Sequence, residues 1–147
     1  MGHGAHQERE IPMNVSAVYE LWADVPGYAG IYQASSHGRI RSLDRLINHP
    51  NGPTRLRGRP LRPRLHLGYP HVNLWRDGRG TAVAVHQIVA LTFLGPCPDG
   101  QEVLHWNDVR DDCRLTNLRY GTRKQNMADA VRNGRKLGRP TRRGAAA

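Results

Sequence analysis

The stretch LGYPHVNLWRDGRGTAVAVHQIVALTFLG, residues 67–95, restricts the fold more than any other part of the chain. Asp77-Gly78 divides two extended runs, and that dipeptide suits the positive φ angles of a tight hairpin turn. Val72 and Leu74 on the first strand, with Val83 and Val85 on the second, are expected to share a buried face. The period then switches from two to 3.6. Val85, Ile88, Val89 and Phe93 line one helical stripe, Gly95 can end the helix, and Pro96 prevents its continuation. His86 sits beside that stripe and reads as a core or hydrogen-bonded histidine. A hairpin feeding directly into a helix implies an α+β fold built from small antiparallel hairpins.

The flanking segments extend this pattern. In ELWADVPGYAGIYQASSHGRIRSLDR, residues 20–45, Ile31 to Ser35 reads as a strand and Ser36-His37-Gly38 as a turn. Arg39 to Leu43 is the return strand, with Trp22, Tyr28 and Tyr32 as anchors. Residues 1–14 carry no periodicity and are expected to be mobile. Residues 46–64 are rich in Pro, Gly and Arg, with five arginines from 55 to 64 and no acid among them. Proline cannot donate to a sheet ladder, so this is a loop or edge segment. It serves either as an arm tracking a nucleic-acid backbone or as a solvated linker.

From Val103 the pattern is strand (VLHW), polar loop (107–117), strand (LRY) and helix. Thr122 and Gln125 form a capping box at the helix start. Met127, Ala130 and Val131 are expected to supply its buried face, and Gly134 its stop. The domain organisation that follows is a mobile N-terminus at 1–14, a hairpin module with an Arg/Pro-rich arm at 15–64, a second unit at 65–134 and a basic tail at 135–147.

Charge decides the class of partner. Twenty-two Lys and Arg against twelve Asp and Glu leave a formal charge of +10, a surplus that repels itself unless an anion neutralises it. Nucleic acid is the leading partner, because phosphate neutralisation releases condensed counterions. A membrane is not expected: no apolar run approaches 18 residues, and there is neither a signal-peptide core nor a basic amphipathic helix. Two cysteines, Cys97 and Cys113, are too few for a disulfide framework and fit a reducing, intracellular setting.

Cutting a phosphodiester requires an activated water, a cation on the leaving oxygen and a grip on the strand. The segment EVLHWNDVRDDCRLTNLRYGTRKQN, residues 102–126, offers His105, Asn117 and Asn126 at a strand, a loop and a helix start. In such an arrangement the strand histidine is the base. The loop asparagine fixes the histidine tautomer through its other ring nitrogen. Histidine and Asn126 are expected to face the same hydrated cation.

Residues 20–134 resemble the HNH homing endonucleases of phages. WADVPGYAGIYQASSHGRIRSLDR is similar to the N-terminal nuclease-associated motif of that family. GYPHVNLWRDG, VAVHQIVALTFLG and LTNLRYGTRKQN are similar to its later blocks, in the expected order. The resemblance implies a ββα-metal nuclease unit in which His105 matches the general base, Asn117 the central asparagine and Asn126 a metal ligand. A carboxamide oxygen suits Mg²⁺ or Mn²⁺.

Leu104 departs from the pattern. Better-known members carry Asp, Asn or His there as a second ligand. The cation is then held by Asn126 with phosphate and water, or a loop acid, Asp108 or Asp111, swings in, or the site is weakened. On this view an aspartate at 104 tightens the metal. Asn107 and Asp108 otherwise shape the loop, and Trp106 either stacks on DNA or is buried beneath the loop.

The grip is assigned to Arg39, Arg41, Arg55, Arg57, Arg59, Arg62, Arg64, Arg119, Arg123, Lys124, Arg132, Arg135 and Lys136. Such charges position the duplex and read no bases by themselves. The expected function is divalent-metal-dependent hydrolysis of double-stranded DNA, as a nick or a double-strand cut. The expected setting is the cytoplasm of a bacterial or phage-infected cell, with no small-molecule cofactor. Two rivals stand beside it: a non-catalytic DNA-binding protein with a degenerate site, and a partner-dependent subunit of phage DNA processing.

Overall fold

A computed structural model of the chain describes residues 18–135. The expectations for residues 1–14 and for Lys136 and the rest of the tail lie outside them. The fold is mixed α and β, with small antiparallel sheets. Strands β1 (Trp22–Asp24), β2 (Tyr32–Ser35) and β3 (Ile40–Ser42) form the first sheet, in that order. Strands β4 (Arg45–Ile47) and β5 (Thr54–Leu56) pair with each other. Strands β6 (Arg64–His66), β7 (Tyr69–Arg76) and β8 (Arg79–Ala84) form a third sheet. Helix α1 (Val85–Leu94) leads to the ribbon of β9 (Glu102–His105) and β10 (Leu118–Gly121), and α2 (Arg123–Arg132) follows.

The expected hairpin is present. Asp77 and Gly78 have φ angles of 52° and 73°, and Arg76 pairs with Arg79 across the turn. Val72 lies opposite Val83, but Leu74 lies opposite Thr81, because Val85 has already entered α1. The apolar stripe of α1 works as its spacing implies, burying Val85, Ile88 and Val89 and ending at Gly95.

Residues 54–66 are more ordered than a linker. Asp44 accepts from the Gly58 N–H at 2.7 Å and pairs with Arg55, fixing the β4–β5 ladder to the end of β3. The chain then runs along β3: Ser42 N–H donates to the Arg59 carbonyl and Leu61 N–H to that of Ile40, each at 2.9 Å. Prolines 60 and 63 leave few backbone donors to pair, so the contact is a seam of isolated bonds instead of a continuous ladder. The Arg-rich stretch is therefore a surface of the fold.

One hydrophobic cluster joins the N-terminal strands to the C-terminal unit, drawing Val25, Tyr32, Ala34 and Ile40 together with Val72, Leu74, Ile88, Val89, Leu115 and Leu118. The β2–β3 turn also touches the loop before β10. Leu115 N–H donates to the Ser36 carbonyl at 2.9 Å. At Gly38, with φ of 84°, a Cβ would stand 2.8 Å from the Cys113 carbonyl carbon. Only glycine permits both that conformation and that approach. The N-terminal turn thus props the loop that carries the candidate site.

Candidate nuclease site

The β9–β10 ribbon sorts the site residues by face. Side chains alternate along a strand, so His105 and Val103 share one face while Leu104 and Glu102 share the other. His105 pairs with Leu118 and Leu104 with Arg119 across the ribbon. The His105 face packs towards α1 and the Leu104 face towards α2.

His105 ends β9 and is only 8% exposed. Its ring lies 5.0 Å from that of His86 and 6.0 Å from that of Tyr69, centroid to centroid, and His86 and Tyr69 are 5.1 Å apart. Burial lowers the pKa of His105, against the pull of Asp112, Asp108 and Asp111, which favour its cation. Burial also pushes His86 down to about 4, helped by His105 and His71. Both imidazoles are therefore neutral near pH 7, and a base must be neutral to accept a proton. His105 Nε2 and His86 Nδ1 are both closed off from solvent without a hydrogen-bond partner.

Asn117 is buried, but its amide does not reach the His105 ring. Its Oδ1 accepts from Asn107 N–H at 3.1 Å. Its Nδ2 donates to Asn107 Oδ1 and to the Asp112 carbonyl, each at 2.9 Å. Both amide hydrogens are used in closing the 107–117 loop, so the tautomer-fixing bond expected of it is absent. Trp106 N–H adds a backbone bond to the Asn117 carbonyl at 2.9 Å. Asp112 supports the same loop, accepting from Arg114 and Asn107, and these bonds hold its carboxyl down at about 2.

The residues expected as metal ligands stand apart from one another. Asn126 sits in the first turn of α2 and donates from Nδ2 to Glu102 Oε1 at 3.0 Å. It therefore stands beside Glu102, on the face of the ribbon opposite the His105 ring. Asp108, with φ of 59°, pairs with Arg135 at 2.9 Å and is committed there. Leu104 is 1% exposed and fills the space under α2 against Gly121. The carboxylate beside Asn126 is instead Glu102, two residues earlier on the same face. Strand alternation could have indicated it once Leu104 was seen to break the pattern.

Glu102 and Asn126 offer a carboxylate and a carboxamide oxygen, the hard donors that Mg²⁺ or Mn²⁺ takes. They fit an open site completed by water and phosphate. A closed cage does not fit, since among the described residues no group of three or more His, Cys, Asp or Glu is placed to enclose an ion.

The capping box forms as expected: Thr122 Oγ1 accepts from Gln125 N–H, and Gln125 Oε1 from Thr122 N–H. Gly134 (φ 75°) donates to the Val131 carbonyl and Arg135 to that of Ala130, a Schellman stop. The buried face of α2 differs from expectation. Ala130 is buried, yet Met127 is 49% and Val131 60% exposed. Asp129 takes their place, accepting from Arg119 at 2.6 Å and Arg132 at 2.7 Å. Arg119 also lies 4.0 Å over the Trp106 ring, and Arg132 and Asn133 donate to the Trp106 carbonyl. These ion pairs and the stacked indole rotate the helix away from its apolar stripe.

The candidate DNA contacts fall into two groups. Arg39, Arg55, Arg119, Arg132 and Arg135 pair with Glu20, Asp44, Asp129, Asp129 and Asp108. Arg41 stacks on Trp22 and donates to Gln33. Arg57, Arg59, Arg62 and Arg64 carry no ion pair among the described residues, and neither do Arg123 and Lys124. The first four, joined by Arg45, His66 and His71, line an open groove of about 1440 Å³ beside the half-exposed Trp75.

Comparison with known proteins places these features. Residues 83–128 match the family model described as HNH endonuclease. The chain carries an HNH endonuclease domain. Residues 20–75, ahead of it, match the NUMOD4 motif. The chain is homologous to DNA endonuclease I-HmuI of Bacillus phage SP01, with 30% identity over 114 residues, 77% of this chain and 59% of that protein. The solved structure of DNA binding and cleavage by the HNH homing endonuclease I-HmuI aligns with a TM-score of 0.64 and 29% identity. That alignment covers 80% of this chain and 61% of the other. The HNH domain thus begins at the end of β8 and takes in α1, the ribbon and most of α2. His86 and Tyr69 were not expected at its centre; the sequence signal for His86 was a buried-side polar residue at the head of an apolar helix.

Proposed function

We propose that the protein is a divalent-metal-dependent endonuclease acting on double-stranded DNA, in a bacterial or phage-infected cytoplasm. The observation that carries this reading is the buried His105 at the end of β9 in the HNH domain. Its loop is locked by Asn117, and an oxygen-donor pair stands on the opposite face of the ribbon. In-line displacement puts attacking and leaving oxygens on opposite sides of phosphorus, so the base and the cation must approach one phosphate from two sides. His105 takes a proton from water as the water oxygen bonds to phosphorus. The P–O3′ bond breaks, leaving a 5′-phosphate, and the 3′ oxygen is protonated from solvent. Asn126 and Glu102 would hold the cation, which supplies positive charge at the departing 3′ oxygen. Arg57, Arg59, Arg62 and Arg64 hold the duplex through its phosphates.

Supercoiled plasmid with Mg²⁺ or Mn²⁺ tests the reading. Nicking or linearisation by the wild type that is lost in His105→Ala, with duplex binding retained, is the expected result. The burial of Leu104 where a ligand was expected favours one rival, a DNA-binding protein with a degenerate site. Duplex binding with no cation-dependent cleavage would establish that rival.

A further inference from the structure

We propose that His86 is a positioning residue that accepts a hydrogen bond from His105 Nε2–H and so fixes the tautomer in which Nδ1 of His105 is the base. The inference rests on His105 being that base, as proposed above. A neutral imidazole carries one N–H and one lone pair, so a nitrogen that takes a proton from water needs the hydrogen to sit on the other. Of the two ring nitrogens of His105, Nε2 is the one closed off without a partner, which leaves Nδ1 for water. The residue expected to hold Nε2–H, Asn117, has both amide hydrogens and its oxygen engaged within the loop.

His86 presents the complementary orphan. Its Nδ1 is closed off without a partner, on a ring whose centroid is 5.0 Å from that of His105. An N–H···N bond of about 2.9 Å between two imidazoles spans a centroid separation of this size. No such bond is formed in this structure, where the rings are inclined by 57°. The proposed bond requires a ring rotation that brings His105 Nε2 and His86 Nδ1 together. Two directions are possible. If His86 donated, His105 would carry its hydrogen on Nδ1 and present no lone pair to water. Only donation from His105 leaves a base. The burial that pushes His86 down to about 4 keeps its lone pair free at neutral pH. The groups facing the pair are Tyr69 and His71 from β7, Cys113 from the loop, and Asp108, Asp111 and Asp112 around His105.

Nitrogen NMR of the full chain tests this without reference to cleavage. The expected spectrum shows His105 protonated at Nε2, its Nε2–H protected from exchange, and a coupling across the hydrogen bond to His86 Nδ1. His86→Leu should abolish the coupling and the protection. His86→Asn, whose side-chain oxygen can stand near the Nδ1 position, should restore the protection. His105 protonated at Nδ1 in the wild type, or Nε2–H protection unchanged in a folded His86→Leu, would overturn the proposal. If His86→Leu does not fold, the wild-type coupling and tautomer still decide. Plasmid nicking is scored separately. A chain that nicks without the coupling loses this inference and keeps its function; one with the coupling that never cleaves loses the function.

Discussion

Leu104 and Gly121 interlock: Leu104 Cδ1 lies 2.5 Å from where a Cβ on residue 121 would stand. They belong to adjacent strands on the face that α2 covers, and Leu104 is among the largest fully buried side chains. An aspartate at 104 would lose these apolar contacts and bury a carboxylate, with the Arg119 guanidinium on the neighbouring strand as the cation beside it. This packing argues against the expectation that Leu104→Asp tightens a metal. The substitution should destabilise the fold by about 4 kcal/mol or more, from the lost apolar contacts and the buried carboxylate. Urea unfolding reads the stability, and Mn²⁺ titration should show no gain in affinity. A stable variant that binds Mn²⁺ more tightly would show that position 104 can face a cation after all.

Asn117→Ala removes three hydrogen bonds and leaves the Asn107 amide and the Asp112 carbonyl in need of new partners. A cost of about 2–3 kcal/mol is expected. Loss of protection in hydrogen exchange should be concentrated at residues 107–112. Because the amide acts on the loop and not on the imidazole, the pH dependence of cleavage should keep its shape while its amplitude falls. A displaced acid limb would return Asn117 to direct contact with the base.

The elements written in local chemistry were legible in the sequence. Asp77-Gly78, the Thr122–Gln125 box and the Gly95 and Gly134 stops each depend on a few neighbouring residues and formed as expected. What sequence could not supply was direction in space. Asn117 stands out in the sequence, but its partners are set by how the eleven-residue loop 107–117 folds back on itself. The stripe of Met127 and Val131 obeyed helical spacing and still faced solvent, because Asp129 finds Arg119 on the ribbon and Arg132 on its own helix. His86 and Glu102 gain their interest only once strands and helix are assembled around them.

The two histidines predict an acid sensitivity. His86 is pushed from an ordinary 6.5 down to about 4, and His105 is also lowered, both by burial. The unfolded chain then binds more protons than the folded one below pH 6.5. The His86 contribution to stability is fully present above that pH and is lost as pH falls through about 4, and His105 adds to it in the same direction. For His86 the loss amounts to roughly 3 kcal/mol. Asp112, held at about 2, gives up its own contribution lower, between its ordinary 3.8 and that value. Urea midpoints measured from pH 7 to 4 should decline, and a folded His86→Leu should flatten the decline. A midpoint constant over that range would mean that both rings are protonated without cost.

Salt dependence separates the arginines that face DNA from those that hold the fold. Each phosphate contact contributes about 0.9 to the slope of log affinity against log salt. Replacing Arg57, Arg59, Arg62 and Arg64 together with glutamine should therefore reduce the slope by about 3–4 if all four contact phosphates. Arg39 and Arg55 already face Glu20 and Asp44, so glutamine at those two positions should change it much less. Anisotropy of a labelled duplex, titrated without divalent cation at several salt concentrations, measures both. An unchanged slope in the fourfold variant would move the duplex off this groove. Arg123 and Lys124 at the start of α2, which have no ion pair among the described residues, would then be the next cations to neutralise.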